Sequence, residues 1–182
     1  MGNFDFLEKD PAYGMFAKSA EKAEGLCRSH PSLSALLSRK TLELAVKWVY
    51  QVEGIEVPRQ ANLQSLLHHP DFRDLMDHEP WYRLQFIVKM GNLSAHEERE
   101  ISFEQAAEAL RNLFDFLLWI DYCYGRSYEE RFFSLSRIPE AHEAVNEKRI
   151  REQARLLEQQ GAEKERLAAE LAKVQAELRA MK

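Results

Sequence analysis

Lys89, Asn92 and His96 form the part of the sequence whose residue types could do chemistry. Asn92 and His96 lie four positions apart, and Lys89 precedes them by about one helical turn. A histidine can act as a general acid or base, and Lys89 or Arg83 could hold a phosphate, so one hypothesis is RNA cleavage. The competing interpretation is that Asn92 and His96 cap a helix end and bridge to the next helix. We favour it because no nucleophile or base partner stands at a defined spacing.

Gly91 predicts the end of the helix that precedes this motif. Apolar residues at helical spacing mark one face of that helix: Trp81, Leu84, Ile87 and Val88. Glycine tolerates the left-handed conformation with which helices commonly end. Asn92 and Ser94 can then bond the backbone groups freed at the break. The segment is therefore predicted to be a sharp, polar-lined turn held against a helical core.

Two other groups of polar residues have a weaker chemical interpretation. Imidazole and carboxylate side chains near one loop could bind a metal ion, but their spacing matches no recognised ligand pattern: His68, His69, Asp74 and His78. On the second helix, basic residues could contact phosphates, but Glu43 lies among them: Arg39, Lys40 and Lys47. We interpret the first group as a solvated loop and the second as a solvated helix face, so no metal ligand or catalytic residue is assigned.

Composition indicates one moderate helical core with an appendage. The chain has 182 residues, 45% of them hydrophobic, and a net charge of −5. From Glu140 onward nine basic and nine acidic residues balance, so the whole negative excess lies in the preceding part. There a polyanion would be repelled on average. No apolar run could span a bilayer and no secretory signal opens the chain, so a cytoplasmic protein without membrane contact is expected.

Helix signals follow one another along residues 1–138. Asp10-Pro11 starts a helix expected to run to about Arg28, and a long helix from Pro31 to about Glu53 ends at Gly54. The expected buried stripe of this second helix is Leu33, Leu36, Leu37, Leu44, Trp48 and Val52. Asn62 caps a brief helix, Glu79-Pro80 starts the helix leading to Gly91, and a helix from Phe103 has an apolar face wide enough for the centre of a bundle. Residues 126–138 are expected to return as a strap over it.

These signals predict an all-α fold, a bundle of about four or five principal helices over residues 1–138. Cys27 and Cys123 both fall within helical patterns and are expected to be buried, reduced thiols. Residues 139–182 are expected to form a coiled-coil stalk, because the core positions of the last two heptads before Met181 are apolar, whereas the earlier heptads from Ile150 are polar at half of theirs. The pattern stops without a cap, so the native chain is expected to continue into further domains.

Several of these features together resemble the N-terminal region of type I restriction enzyme R (HsdR) subunits, a helical domain similar to the HEPN class of bundles. The residues that carry the resemblance are Asn3-Phe4-Asp5-Phe6-Leu7, Arg39, Glu43, Asn62-Leu63, Gly91-Asn92-x-x-Ala95-His96, Phe114 and Trp119, followed by the coiled coil. Gly91-Asn92-x-x-Ala95-His96 is the most specific of them. The likeness covers nearly the whole chain.

The resemblance implies a restriction-modification, or defence, function. The parent subunit would join modification and specificity subunits, bind ATP and Mg²⁺, translocate DNA and cut it as an endonuclease. Its nuclease and motor motifs are absent from residues 1–182, so the chain itself is expected to be a non-catalytic docking domain without a cofactor. The likeness to HEPN ribonucleases instead implies a site at His96 and Asn92, although Gly91 stands where that motif has arginine, and Lys89 lies two positions earlier. A further alternative is a dimerisation module that self-associates through residues 140–182.

Overall fold

The computed structural model describes residues 2–95 and 100–140, and within them the fold is all-α. The α-helices are α1 (Ala17–Leu26), α2 (Pro31–Glu53), α3 (Leu63–His68), α4 (Pro70–Arg73), α5 (His78–Ala95) and α6 (Phe103–Tyr124). Short 3₁₀ helices span Asp5–Lys9, Pro11–Met15 and Leu135–Arg137. Four long helices, α1, α2, α5 and α6, make the bundle, which confirms the predicted fold class. The proposed stalk, and with it self-association through residues 140–182, lies outside the described residues except at its first positions.

Local side-chain chemistry sets several helix ends where the sequence predicts them. The Asn62 side chain accepts a hydrogen bond from Ser65 N at 2.9 Å and so caps α3. Ser102 and Gln105 form a reciprocal capping box at the start of α6. Gly54 ends α2 in the left-handed conformation, with φ of 68°.

The predicted first helix is interrupted. Asp10 caps Ala12 N at 2.9 Å as expected, but the chain then forms a 3₁₀ turn, and α1 begins only after Phe16. Phe16 has φ of −121° and ψ of −18°, outside the α-helical region. The interruption accompanies the burial of two aromatic rings, Tyr13 and Phe16, whose centroids lie 5.5 Å apart. At this interruption both rings lie in the core and meet the Trp48 ring edge-on.

The second helix, not the sixth, lies at the centre of the bundle, because α2 packs against α1, α5 and α6. The predicted buried stripe is wrong for most of its members. Leu36, Leu37, Leu44 and Trp48 are half-buried, and Val52 is 49% exposed. The buried face is rich in small residues instead: Ser34, Ala35, Ser38, Thr41 and Ala45. Small side chains let three neighbouring helices approach α2 closely, and the large residues buried between them are Leu33, which the sequence predicted, and Leu42, Val46, Val49 and Tyr50, which it did not.

Only one of the two cysteines belongs to the core. Cys27 is fully buried, and burial raises the pKa of its thiol to about 11. Cys123 is exposed near the end of α6, contrary to the prediction. In the same turn Asp121 is buried and Tyr124 packs against Trp48, so Cys123 lies on the exposed side of α6, which apolar periodicity alone did not distinguish.

The two ends of the described chain meet on α1 through a buried polar network. Asn3 donates from its backbone N to both carboxylate oxygens of Glu24, at 2.9 and 3.1 Å, and from Nδ2 to Glu24 Oε1 at 2.6 Å. The same amide pairs with the strap: Nδ2 donates to Ser134 O at 3.0 Å, and Ser134 N donates to Asn3 Oδ1 at 2.8 Å. Both Asn3 and Glu24 are buried. Residues 126–138 thus do return over the bundle, as predicted.

Aromatic packing reinforces this junction. Phe4 and Phe6 meet Phe114 of α6 edge-on, with centroids 6.0 and 5.8 Å apart. Phe133 of the strap contacts the same Phe114 ring at 5.8 Å. Edge-to-face pairs add stabilisation beyond the area that they bury. The opening segment and the strap therefore share one apolar anchor on α6.

Replacing Asn3 by alanine is expected to destabilise the protein by about 2–4 kcal/mol, because it removes a charge-assisted hydrogen bond to Glu24 and both bonds to Ser134. Urea unfolding followed by circular dichroism measures the change. Asn92→Ala is the matched control, since Asn92 is exposed on α5, and it should change stability by less than about 0.5 kcal/mol. Equal stabilities of the two variants would contradict a structural role for the network.

Candidate functional site

Gly91 lies inside α5 and does not end it. The helix continues to Ala95, and Gly54 is the glycine with positive φ among the described residues. The predicted sharp turn at Gly91 is therefore wrong. The reason for glycine at this position is the proximity of α2 rather than backbone conformation.

The close approach at Gly91 involves the side chain of Arg39. A Cβ atom added to Gly91 would lie 2.4 Å from Arg39 Cβ, 2.7 Å from its Cδ and 3.0 Å from its Cγ. These distances are shorter than van der Waals contact, so any larger residue would push α5 away from α2. The central glycine of the motif thus serves helix–helix packing.

Ser94 and Ser32 connect the end of α5 to the beginning of α2. Ser94 Oγ donates to Ser32 O at 2.5 Å, and Ile101 N donates to Ser32 Oγ at 3.2 Å. Ser94 therefore bonds a backbone group of α2, so the predicted bond to groups freed at a break in its own helix is wrong. Ser32 holds the chain on both sides of residues 96–99. His96, the candidate catalytic residue, lies outside the described residues.

The other candidates on α5 divide between two sides of the helix. Lys89 and Asn92 are exposed. Arg83 instead turns toward α6, where it donates to Asp115 at 3.0 Å, and it also binds Glu79 at 2.7 Å. The hydrogen bond that Arg83 donates to Glu79 and the negative charge of Asp115 raise the pKa of Arg83. Arg83 is thus committed to an ion-pair network on the side of α5 that faces α6.

The charged residues of α2 form a compact arrangement around Glu43. Lys47 Nζ donates to Glu43 Oε1 at 2.9 Å, and Lys40 Nζ lies 3.5 Å from Glu43 Oε2. Burial acts to raise the pKa of Glu43, but the hydrogen bond from Lys47 and the charges of Lys40, Lys47 and Arg39 outweigh it and lower that pKa. Glu43 and its lysines are half-buried, so the predicted solvated face is more structured than expected.

The three histidines suggested as metal ligands lie in different local surroundings, and the His69 ring is 6.0 Å from the Tyr50 ring. His68 Nδ1 lies 2.8 Å from Gln64 O, and its ring meets Trp81 edge-on at 5.0 Å. His78 Nδ1 lies 3.0 Å from an Arg73 nitrogen. Across residues 2–95 and 100–140, no three histidine, cysteine or acidic side chains are grouped as metal ligands would be.

Sequence reasoning missed the functions of Asn3, Glu24 and Ser32. A signal existed for Glu24, because it lies four residues after Ala20 and three before Cys27, on the apolar face of α1. A charged residue on such a face indicates a buried partner. No comparable pattern marks Ser32, whose partners lie more than sixty residues away in the chain.

In comparisons with known proteins, no family model, no curated protein and no solved structure matches the chain. Within the part of the chain that the structure describes, no helix has both the length and the apolar character needed to cross a membrane. The resemblance to restriction R subunits therefore continues as a proposal.

Gly91→Ala is expected to destabilise the protein by about 1–3 kcal/mol, because the new methyl group would collide with the Cβ and Cδ atoms of Arg39. The free energy of unfolding in urea provides the test.

Gly25→Ala is the matched control. Gly25 also lies within a helix, α1, and an added Cβ meets no atom within 4 Å. This variant should gain about 0.5–1 kcal/mol through higher helix propensity. A Gly91→Ala protein as stable as the Gly25→Ala protein would show that the contact between α2 and α5 is not tight.

Proposed function

We propose that the chain is a non-catalytic docking domain of a type I restriction-modification R subunit. The observation that carries this proposal is the packing of Gly91 against Arg39, because it gives the most specific motif of the resemblance a structural purpose. The bond from Ser94 to Ser32 supports the same interpretation. A motif that packs α5 on α2 is what we expect of a rigid docking domain, which binds other subunits or domains through its surface.

In this proposal the activities of the parent subunit reside in further domains. Those domains would bind ATP and Mg²⁺, translocate DNA and cut it, in assembly with modification and specificity subunits. The helical domain would contact the other subunits and position the catalytic domains relative to them. The reading frame that encodes the chain offers one direct check: we expect a nuclease motif and a Gly-rich ATP-binding loop downstream of Lys182.

Exposed aromatic residues near the end of α6 support a docking function. Tyr122 is 68% exposed and Tyr128 is 41% exposed, and their rings meet edge-on at 5.1 Å. Phe132, farther along the strap, is 75% exposed. Exposed aromatic side chains are enriched in the centres of protein–protein interfaces. We define Tyr122, Tyr128 and Phe132 as the aromatic surface.

Loss of the aromatic surface should weaken binding to a modification–specificity complex. The double variant Tyr128→Ser and Phe132→Ser is expected to raise the Kd of the full chain at least about tenfold, since aromatic residues dominate interface energies. Biolayer interferometry with the purified complex measures this value.

The control for this experiment is Tyr82→Ser, because Tyr82 is 66% exposed but lies near the beginning of α5. This variant should bind as the unaltered chain does. If the unaltered chain does not bind the modification–specificity complex, the docking proposal is wrong. If Tyr82→Ser raises the Kd as much as the double variant does, the aromatic surface is not the docking surface.

A ribonuclease of the HEPN type is the second candidate, favoured by the exposed Lys89 and Asn92 on α5. Lys40 and Lys47 of α2 are paired with Glu43, so Lys89 is the cation on which this candidate relies to hold an RNA phosphate. If this candidate is right, the purified chain cleaves single-stranded RNA, His96→Ala abolishes cleavage, and His68→Ala does not. No cleavage, or cleavage that His96→Ala leaves intact, would contradict it.

A further inference from the structure

A small cleft opens where the amino-terminal 3₁₀ helices, the end of α6 and the beginning of the strap meet. Its volume is about 180 Å³. The residues that line it are Phe6, Lys9, Asp10, Pro11, Asp121, Arg126, Ser127 and Arg131. Six of these eight residues are polar or charged, which is unusual for a gap between packed segments. The cleft is distinct from the candidate site at Gly91.

Asp121 is the most buried charged residue of the cleft. It is 7% exposed, and its Oδ1 accepts a hydrogen bond from the Tyr13 hydroxyl at 3.0 Å. Burial and the hydrogen bond to Asp121 raise the pKa of Tyr13, so the hydroxyl remains a donor across the physiological range. Within the described residues, Asp121 forms no ion pair. A buried carboxylate that lines a cleft without a cationic partner can accept one from a ligand.

Two of the three cations that line the cleft are already paired. Lys9 Nζ lies 3.4 Å from Glu129 Oε2, and Arg131 forms an ion pair with the same carboxylate. The Arg131 guanidinium also lies over the Phe6 ring, 5.3 Å from its centroid. Glu129 therefore offsets part of the positive charge of both Lys9 and Arg131, although the pair with Lys9 is exposed to solvent.

Arg126 differs from the other two cations. It is exposed, and it pairs with no carboxylate in the described part of the chain. Ser127, beside it in sequence, adds a hydroxyl to the lining. A guanidinium binds a carboxylate in a planar, two-bonded geometry, and a neighbouring hydroxyl can donate a further hydrogen bond.

The charges of the cleft select against simple ions. A phosphate attracted by Arg126 would be repelled by the nearby carboxylates of Asp10 and Asp121, which line the same space. A bare cation attracted by those carboxylates would be repelled by Arg126. A ligand that carries both charges satisfies both sets of groups.

We propose that this cleft binds a small zwitterionic α-amino acid, with its carboxylate at Arg126 and Ser127 and its ammonium group at Asp121. The volume of 180 Å³ corresponds to about six water molecules at ~30 Å³ each, which suits an amino acid with a short side chain. Drug-sized ligands and nucleotides need pockets of roughly 300 Å³ or more. The bound molecule would connect the strap to the end of α6.

The probe is L-alanine, titrated into the full isotope-labelled chain and followed by amide chemical shifts in NMR spectra. We expect saturable shifts at Lys9 and Ser127 with a Kd of about 1 mM, as befits so small a ligand. L-alanine methyl ester lacks the carboxylate and propionate lacks the ammonium group, so each should bind at least about tenfold more weakly. Inorganic phosphate and putrescine represent a bare anion and a bare cation. No shifts at about 10 mM L-alanine, or tighter binding of phosphate or putrescine, would overturn the proposal.

Substitutions assign the two ends of the ligand. Arg126→Gln should raise the Kd for L-alanine at least about tenfold while leaving the unfolding temperature unchanged, because Arg126 is exposed. Asp121→Asn removes the carboxylate charge but retains an oxygen that can accept from Tyr13, and it should weaken L-alanine binding by a similar factor. Arg137→Gln is the control, since Arg137 is exposed in the same strap but does not line the cleft. Equal binding by the Arg126→Gln and Arg137→Gln proteins would refute the assignment.

Discussion

The hydrogen bonds between Asn3 and Glu24 are the interaction on which the described structure depends most. A buried carboxylate is costly unless donors surround it, and burial raises the pKa of Glu24 even though the donors of Asn3 act to lower it. Asn3 can supply those donors only if the opening segment lies on α1. The same amide binds Ser134, so the strap is drawn onto α1 as well. Glu24 thereby holds the opening segment on α1, and through Asn3 it also holds the strap at Ser134.

The second constraint is the tight packing of α5 on α2. Gly91 lets the helices approach to a distance at which the Arg39 side chain lies directly over the glycine. Ser32 then binds the end of α5, at Ser94, and Ile101, two residues before α6, to the beginning of α2. Because α2 also contacts α1 and α6, a shift of α5 away from α2 at Gly91 would disturb the packing of all four long helices. The motif that attracted a catalytic hypothesis has an architectural purpose that does not depend on any reaction.

The surfaces left by this packing differ in character. The aromatic surface around Tyr122 and Tyr128 is apolar and exposed, which suits a protein partner. The cleft beside Asp121 and Arg126 is small and charged, which suits a small polar molecule. Both adjoin the end of α6 and the beginning of the strap, so a ligand in the cleft would lie close to the proposed docking surface. The amino-terminal network holds the far end of the same strap in place at Ser134.

The sequence by itself determined the fold class and many helix ends, because caps and periodicity act within a few residues. Asn62, Ser102 and Gly54 mark helix ends through contacts with their immediate neighbours, and such contacts can be inferred from order alone. Tertiary structure decided which face of α2 is buried, why Gly91 is glycine and that Cys123 is exposed. Each of these depends on segments distant in the chain: three helices surround α2, Arg39 lies fifty-two positions before Gly91, and Tyr13 and Trp48 pack against Asp121 and Tyr124 of the last turn of α6 but leave Cys123 exposed. Local sequence patterns do not specify which distant segment packs against a given residue, so these contacts are known only from the tertiary structure.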